Sequence, residues 1–274
     1  FSGETGAMPM PADSPGKGGG LVDRVKFHSG KKLASGLCRL ADANDSTLYI
    51  VVLASYFVLL HRYTEHEDII VGTIAADRAH VALEPMIGVF INTLALRGQP
   101  RGDFSFRDFL GDVRKTSTEA FKNQSYPIEH LLHRTLPYRG GGDETANGQG
   151  NSHGSGSGRA GRNHLFDTLF IMQNMNIKHF GTGSGSGQLR WTIQDYDVRL
   201  ADLDFTLAAT EIDGDINFVL EYDTELFNRD RMVKLAGYFL RVLEKVVRGP
   251  GICLAEIDLV SVEEKRQLLE EFND

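Results

Sequence analysis

Along the 274-residue chain, apolar positions recur with three periods, and each period predicts a different kind of element. Val22, Val25 and Phe27 stand among polar neighbours and predict a short strand over Val22 to His28. Lys31 to Ala41 is amphipathic at helical spacing. The most apolar window, Leu48 to Leu60, predicts a helix buried nearly all round, capped by Asp45 or Ser46 and reaching about Arg62. Asp-Ile-Ile-Val-Gly-Thr (68–73) places three branched apolar residues in a row, which predicts a strand buried on both faces. Ile87 to Arg97 begins as another strand, is interrupted by Asn92-Thr93, resumes at Leu94-Ala95-Leu96 and closes on a charge.

The second half reads in the same way. Over 105–122, Phe106, Phe109, Leu110, Val113, Ala120 and Phe121 mark the clearest helix, with Ser105 and Asp108 resembling a capping box. A short helix starts at Pro127, a residue tolerated in a first turn. Residues 165–174 are strand-like, and 203–222 form a hairpin that turns at Asp213-Gly214. Arg229 to Val247 is a long amphipathic helix capped by Asn228, and Ser261 with Glu264 opens a last acidic helix. Strands and helices mix without strict alternation, which predicts an α+β layered domain, and no internal repeat is visible.

Composition adjusts this picture in a few places. Residues 1–20 are rich in Gly, Pro and Ser and read as an extended lead-in. Residues 140–161 hold no large apolar side chain to offset the entropy of ordering, so they read as a flexible Gly/Ser loop, and 181–187 as a shorter one. A net charge of −8 argues against a nucleic-acid partner. The apolar window at Leu48 is too short for a membrane span, and the start carries no signal peptide. With Cys38 and Cys253 far apart and reading as reduced thiols, the expected location is the cytoplasm. The chain opens on Phe1 rather than Met and reads as a piece of something longer.

The short motifs carry little chemistry. Gly-Asn-Ser-His-Gly (150–154) matches a nucleophile elbow, but no strand precedes it, and Gly/Ser-rich text generates such matches by chance. Gly156 to Gly161 matches G-x-G-x-x-G, yet it leads into a strand instead of opening a helix. His130 and His133 lie three apart on a helix without an evident third ligand, so no metal is expected. Asp202/Asp204 and Glu211/Asp213 read as solvated edge charges. The nine histidines include no closely spaced pair with a following Asp, and no catalytic residue is assigned.

Taken in order, five segments resemble the condensation domains of nonribosomal peptide synthetases. LLHRYTEHEDIIVGT (59–73) is similar to the family's LLHRYxxxxDIxVGTP text, and IGVFINTLALR (87–97) to its (I/V)GxFVNTLxLR motif. NQSYPIEHLL (123–132) resembles (H/N)QDxPFExLV, and RNHLFDTLFIMQN (162–174) resembles RNPLFxxxFxxQN. Residues 220–244 resemble the closing strand and helix, and EEKRQLLEEFND resembles the linker that introduces an adenylation domain. The departures are His164 in place of Pro, Ser125 in place of the acidic residue and Ile128 in place of Phe. The signature H-H-x-x-x-D-G is absent, and in the family it belongs to the amino-terminal half.

The resemblance implies a chloramphenicol-acetyltransferase-like lobe, α+β, with a mixed sheet covered by helices. In that family two lobes enclose a tunnel in which a carrier-bound amine attacks a carrier-bound acyl thioester. The chain would be the carboxy-terminal lobe over 21–260 and would be inactive alone, with 261–274 starting the linker. Implied partners are the amino-terminal lobe, the donor and acceptor carrier domains and a downstream adenylation domain. No cofactor would be bound directly, and 4′-phosphopantetheine would be presented by the carriers. Alternatives are an epimerization domain lobe, a starter-type acyl-transferring domain, or a carrier-docking scaffold. The tunnel or lobe-boundary candidates are Asn92, Arg97, Gln124 and Gln173. Asn92 either bridges backbone groups, the preferred role, or faces the tunnel; Arg97 either anchors its strand or meets a carrier phosphate. Gln124 and Gln173 read as packing supports, with Pro127 and Glu129 starting a helix.

Overall fold

The computed structural model describes residues 10–14, 21–76, 86–88, 90–135, 165–173, 203–261 and 264–266, without the side chains of 76 and 132–135. The two glycine-rich loops, both glycine-motif matches, the side chain of His133, Asp202, and most of the lead-in and last helix lie outside the described residues.

Among the described residues, six strands and five helices follow in the order β1 (Val22–His28), α1 (Lys31–Asp42), α2 (Leu48–Thr64), β2 (Ile69–Ala76), β3 (Ile91–Gly98), α3 (Phe106–Lys122), α4 (Ile128–Thr135), β4 (Thr168–Gln173), β5 (Phe205–Ile212), β6 (Asp215–Asp223) and α5 (Arg229–Arg248). A 3₁₀ turn at Leu254–Glu256 comes after α5. The strands form one mixed sheet in the order β1-β6-β5-β4-β2-β3. β4 is parallel to both of its neighbours, and the other pairs are antiparallel.

Local chemistry accounts for most boundaries. Asp213 (φ 52°) and Gly214 (φ 78°) both take left-handed backbone, the geometry a two-residue hairpin turn requires. Ser105 and Asn228 accept from the backbone N–H of Asp108 and Arg231, fixing the starts of α3 and α5. Ser261 and Glu264 satisfy each other's backbone N–H groups at 3.0 and 2.8 Å. The cap of α2 is neither Asp45 nor Ser46. Asp45 (φ 47°) and Ser46 are used to close α1, whose Ala41 carbonyl accepts from the Ser46 N–H, and Thr47 accepts from Ile50 instead.

The sheet separates two apolar clusters. α1, α2, α3 and α5 lie on one face over Val25, Ile69, Val71, Leu96, Phe170, Leu207 and Phe218, with Tyr56 and Phe239 at the centre of an aromatic network. On the other face Leu165, Phe166, Leu169, Ile171, Ile70 and Ala95 meet Ile128 and Leu131 of α4. The run Ile69-Ile70-Val71 is thus buried on both sides of the strand, which explains why it does not alternate. Val22 does not share a face with Val25 and Phe27, because the pleat has a period of two.

Candidate functional site

At the end of the sheet where β2, β4 and β5 finish, β3 begins. The register Ala75↔Asn92 and Thr73↔Phe170 puts Gln173 level with Ala76, one step along β2 from the residue paired with Asn92. Gln173 is exposed and pairs with Thr210 of β5. Asn92 is half-buried: its Oδ1 accepts from the Thr93 N–H at 2.9 Å, and its Nδ2 donates to the Gln124 carbonyl. Asn92 and Gln124 therefore meet, and the amide ties the start of β3 to the turn joining α3 and α4. Exposed Ile91 and Tyr126 border the same place.

Arg97 sits at the opposite end of β3. Its Nε and Nη2 donate to the two carboxylate oxygens of Asp68 at 2.7 and 2.6 Å, a bidentate pair just before β2 begins. The Asp68 hydrogen bond raises the Arg97 pKa further, against the effect of burial. Arg97, Gly98 and Gln99 line an open groove of about 530 Å³ with Asp112, Lys115 and Glu119 of α3. The four sequence candidates thus divide, with Asn92, Gln124 and Gln173 at one end of the sheet and Arg97 at the other.

Two features escaped the sequence reading. Asp204 is fully buried at the entrance of β5, a correction to its reading as a solvated edge charge. Its N–H donates to the Asp167 carbonyl and its carbonyl accepts from the Asp223 N–H, so the pairing of β4, β5 and β6 draws it inside. Glu211 and Asp213 are exposed as expected. The second feature is a cluster at the end of β1, where Asp215 accepts from the Ser29 hydroxyl at 3.0 Å and faces His28 Nδ1 at 3.1 Å. Burial raises the Asp215 pKa, but Ser29, the Ile216 and Gly30 backbone and His28 outweigh it and hold the carboxyl below its usual range. The serine hydroxyl is given to the carboxylate and not to the imidazole, so this trio does not activate a nucleophile. Its members are 186 and 187 residues apart, beyond any spacing signal.

Inside the helix-covered face, Tyr56 bonds Thr168, and Tyr49 donates to Thr73 at 3.0 Å, which in turn donates to the Phe170 carbonyl at 2.8 Å. Burial pushes the Tyr49 hydroxyl up to about 12 and that of Tyr56 higher still, so both stay protonated as structural donors. Among the described residues no group of three or more His, Cys, Asp or Glu side chains could hold a metal ion, and no helix is long and apolar enough to cross a membrane. His130 is exposed, with its ring edge-on to Tyr126.

The condensation domain profile matches residues 1–141 and 153–269. Tyrocidine synthase 3 of Brevibacillus parabrevis is 38% identical across 100% of this chain, which spans 4% of that protein. A four-domain nonribosomal peptide synthetase bound to AMP and glycine superposes with a TM-score of 0.78 at 22% identity, over 95% of this chain and 19% of that one. The X-domain from teicoplanin biosynthesis, solved in complex with OxyB, superposes at 0.74 and 22% identity, over 95% of this chain and 53% of the other. The mixed sheet with helices on its faces is the chloramphenicol-acetyltransferase-like arrangement of these structures. The chain belongs to the condensation domain family of nonribosomal peptide synthetases.

Proposed function

We propose that the chain is the carboxy-terminal lobe of an amide-forming condensation domain and serves as one wall of the tunnel in which two carrier-bound substrates meet. The observation that carries this reading is the profile match along nearly the whole chain, joined to the absence of H-H-x-x-x-D-G from its sequence. The chain equals about half of the superposed X-domain chain, as one lobe of two would. In this reading the amine attacks the donor thioester carbonyl, the amide forms and the donor thiol leaves, with the proton-handling histidine supplied by the other lobe. Asn92 and Gln124 hold the strand start in place, while exposed Gln173 and half-buried Thr210 face the neighbouring lobe. The pantetheine arms come from donor and acceptor carrier domains, and residues 261–274 lead toward an adenylation domain.

A single-turnover assay with two aminoacyl-loaded carrier domains tests the proposal. The chain alone should make no dipeptide, whereas the same chain extended upstream through the preceding lobe should make it. Dipeptide from the chain alone would overturn the half-domain reading. A second reading is a docking scaffold, favoured by the X-domain, which has this fold and was solved in complex with OxyB. Carrier binding by this chain without its partner lobe, with no amide formation by the extended protein, would select that reading.

A further inference from the structure

Both ends of the described chain converge on the last turn of α2 and the outer face of α5. On the entering side, Met10 is buried in the main core, and the Asp13 N–H donates to the Leu226 carbonyl at 2.8 Å. The Asp13 carboxylate accepts from the Asn228 N–H at 2.9 Å and from Arg231 Nη1 at 2.6 Å. Arg231 Nε also donates to the Tyr63 hydroxyl at 2.7 Å. The Tyr63 and Tyr238 rings lie 6.4 Å apart, and the Arg241 guanidinium is 5.7 Å from the Tyr238 centroid. On the leaving side, Arg241 Nη1 donates to Glu264 at 2.8 Å and to the Leu259 carbonyl at 2.5 Å. Arg62, next to Tyr63, donates to the Ile257 carbonyl at 3.1 Å.

We infer that Asp13, Arg231, Tyr63, Tyr238, Arg241 and Glu264 form a clasp that couples the segment entering this domain body to the segment leaving it. Each member shares a partner with the next, so ordering one end lowers the cost of ordering the other. Both ion pairs are shielded on both sides, with side-chain exposures of 24%/27% for Arg231–Asp13 and 34%/31% for Arg241–Glu264, against 61%/42% for the neighbouring Arg229–Asp23. An isolated exposed pair contributes little, whereas groups joined through shared partners act together. Tyr63 and Arg62 come from one helical turn, so the two ends are held by the same rigid piece. Motion of whatever precedes Asp13 would thereby reach whatever follows Glu264 without passing through the sheet. The inference stands on contacts within the chain and does not depend on the catalytic reading.

Hydrogen exchange read by mass spectrometry on the full 274-residue chain tests it. Glu264→Gln keeps the capping partner for Ser261 but removes the charge facing Arg241. It should speed exchange of the Asp13 and Asn228 amides by at least about twofold, the lower end of coupling within a shared network. Asp13→Asn should do the same to the Ile257 and Lys265 amides. In a Tyr238→Leu background the cross-effect should vanish, and Arg229→Ala, which breaks the exposed neighbouring pair, should leave the far end unchanged. Faster exchange confined to the mutated end would overturn the clasp. So would a rise spread equally over β5 and β6, because that reports general loosening.

Discussion

Among the described residues, one face of the sheet lies under four helices, whereas the other is covered along β2, β3 and β4, by α4 and the Leu165-Phe166 segment. Toward β1 that second face turns polar, with Lys26, His28 and Asn217 exposed and Arg24 paired to Glu221 at 2.7 Å. Sequence spacing explains the first face through amphipathic helices, each burying one stripe. Among the described residues the second face has one short helix, α4, and the rest of its apolar part comes from strand residues and the Leu165-Phe166 segment. Burial on both sides marks the half of the sheet around β2 and β4 as the rigid frame. The polar half toward β1 is held by charges and hydrogen bonds, which respond to pH and to partners.

The contrast can be broken most severely in the first core. Phe239 is 1% exposed and stacks edge-on against Phe27, Tyr56 and Phe218, so Phe239→Ala should lower unfolding stability by about 3–5 kcal/mol. Ile171→Ala in the smaller cluster should cost less, about 2 kcal/mol, since fewer neighbours enclose it. Urea midpoints of the two variants at equal slope check the order, and equal losses would make the faces equivalent. Asn92→Ala should cost about 1 kcal/mol by freeing the Gln124 carbonyl, with exchange rising at the start of β3 and not at Arg97. A loss that reached the Arg97–Asp68 pair would mean that the two ends of β3 act together.

Acid should act on the polar side. Asp23 is held below its usual range by the Arg24 N–H, the Tyr222 hydroxyl and Arg229, and Asp215 by the contacts at the end of β1. Asp13 and Glu264 are lowered as well: burial works against the shift for Asp13, and the Ser261 N–H leads it for Glu264. A carboxylate whose folded pKa is depressed contributes stability above its unfolded value and loses it as pH falls through the folded value. Stability should therefore be flat from pH 7 to about 5 and decline below about 4, where free carboxylates protonate. Exchange in acid should quicken first along β1 and β6 and around α5, and a first opening at β2 and β3 would contradict this.

Much of the fold was legible because its signals are local. Asp213-Gly214 set the hairpin, Ser105 and Asn228 set two helix starts, and the apolar run from Leu48 set the buried helix. What escaped notice depends on partners distant in the chain. Asp45 and Ser46 have the right chemistry for a cap but were used by the preceding helix. Asp204 looks like an edge charge until three strands close around it. Arg97 meets Asp68 across 29 positions because β2 and β3 pair antiparallel, and His28 meets Asp215 because β1 closes on β6. Asn92 was recognisable as an oddity within a strand, while the carbonyl it serves could be found only after α3 and β3 had been packed together.

The ladder between β2 and β4 contains only two register pairs, Gly72↔Leu169 and Thr73↔Phe170. The β2–β3 and β5–β6 ladders, by contrast, join strands close in the chain and are each paired along their length. Short-range hairpins close quickly, and the long loop spanned by the β2–β4 contact makes that closure slow. Joining β4 to β2 closes a long loop for two register pairs, so the ladder alone holds this junction weakly. The Thr73 hydroxyl, itself held by Tyr49 of α2, donates across that narrow junction to the Phe170 carbonyl, so one side chain reinforces a seam that the backbone leaves nearly open.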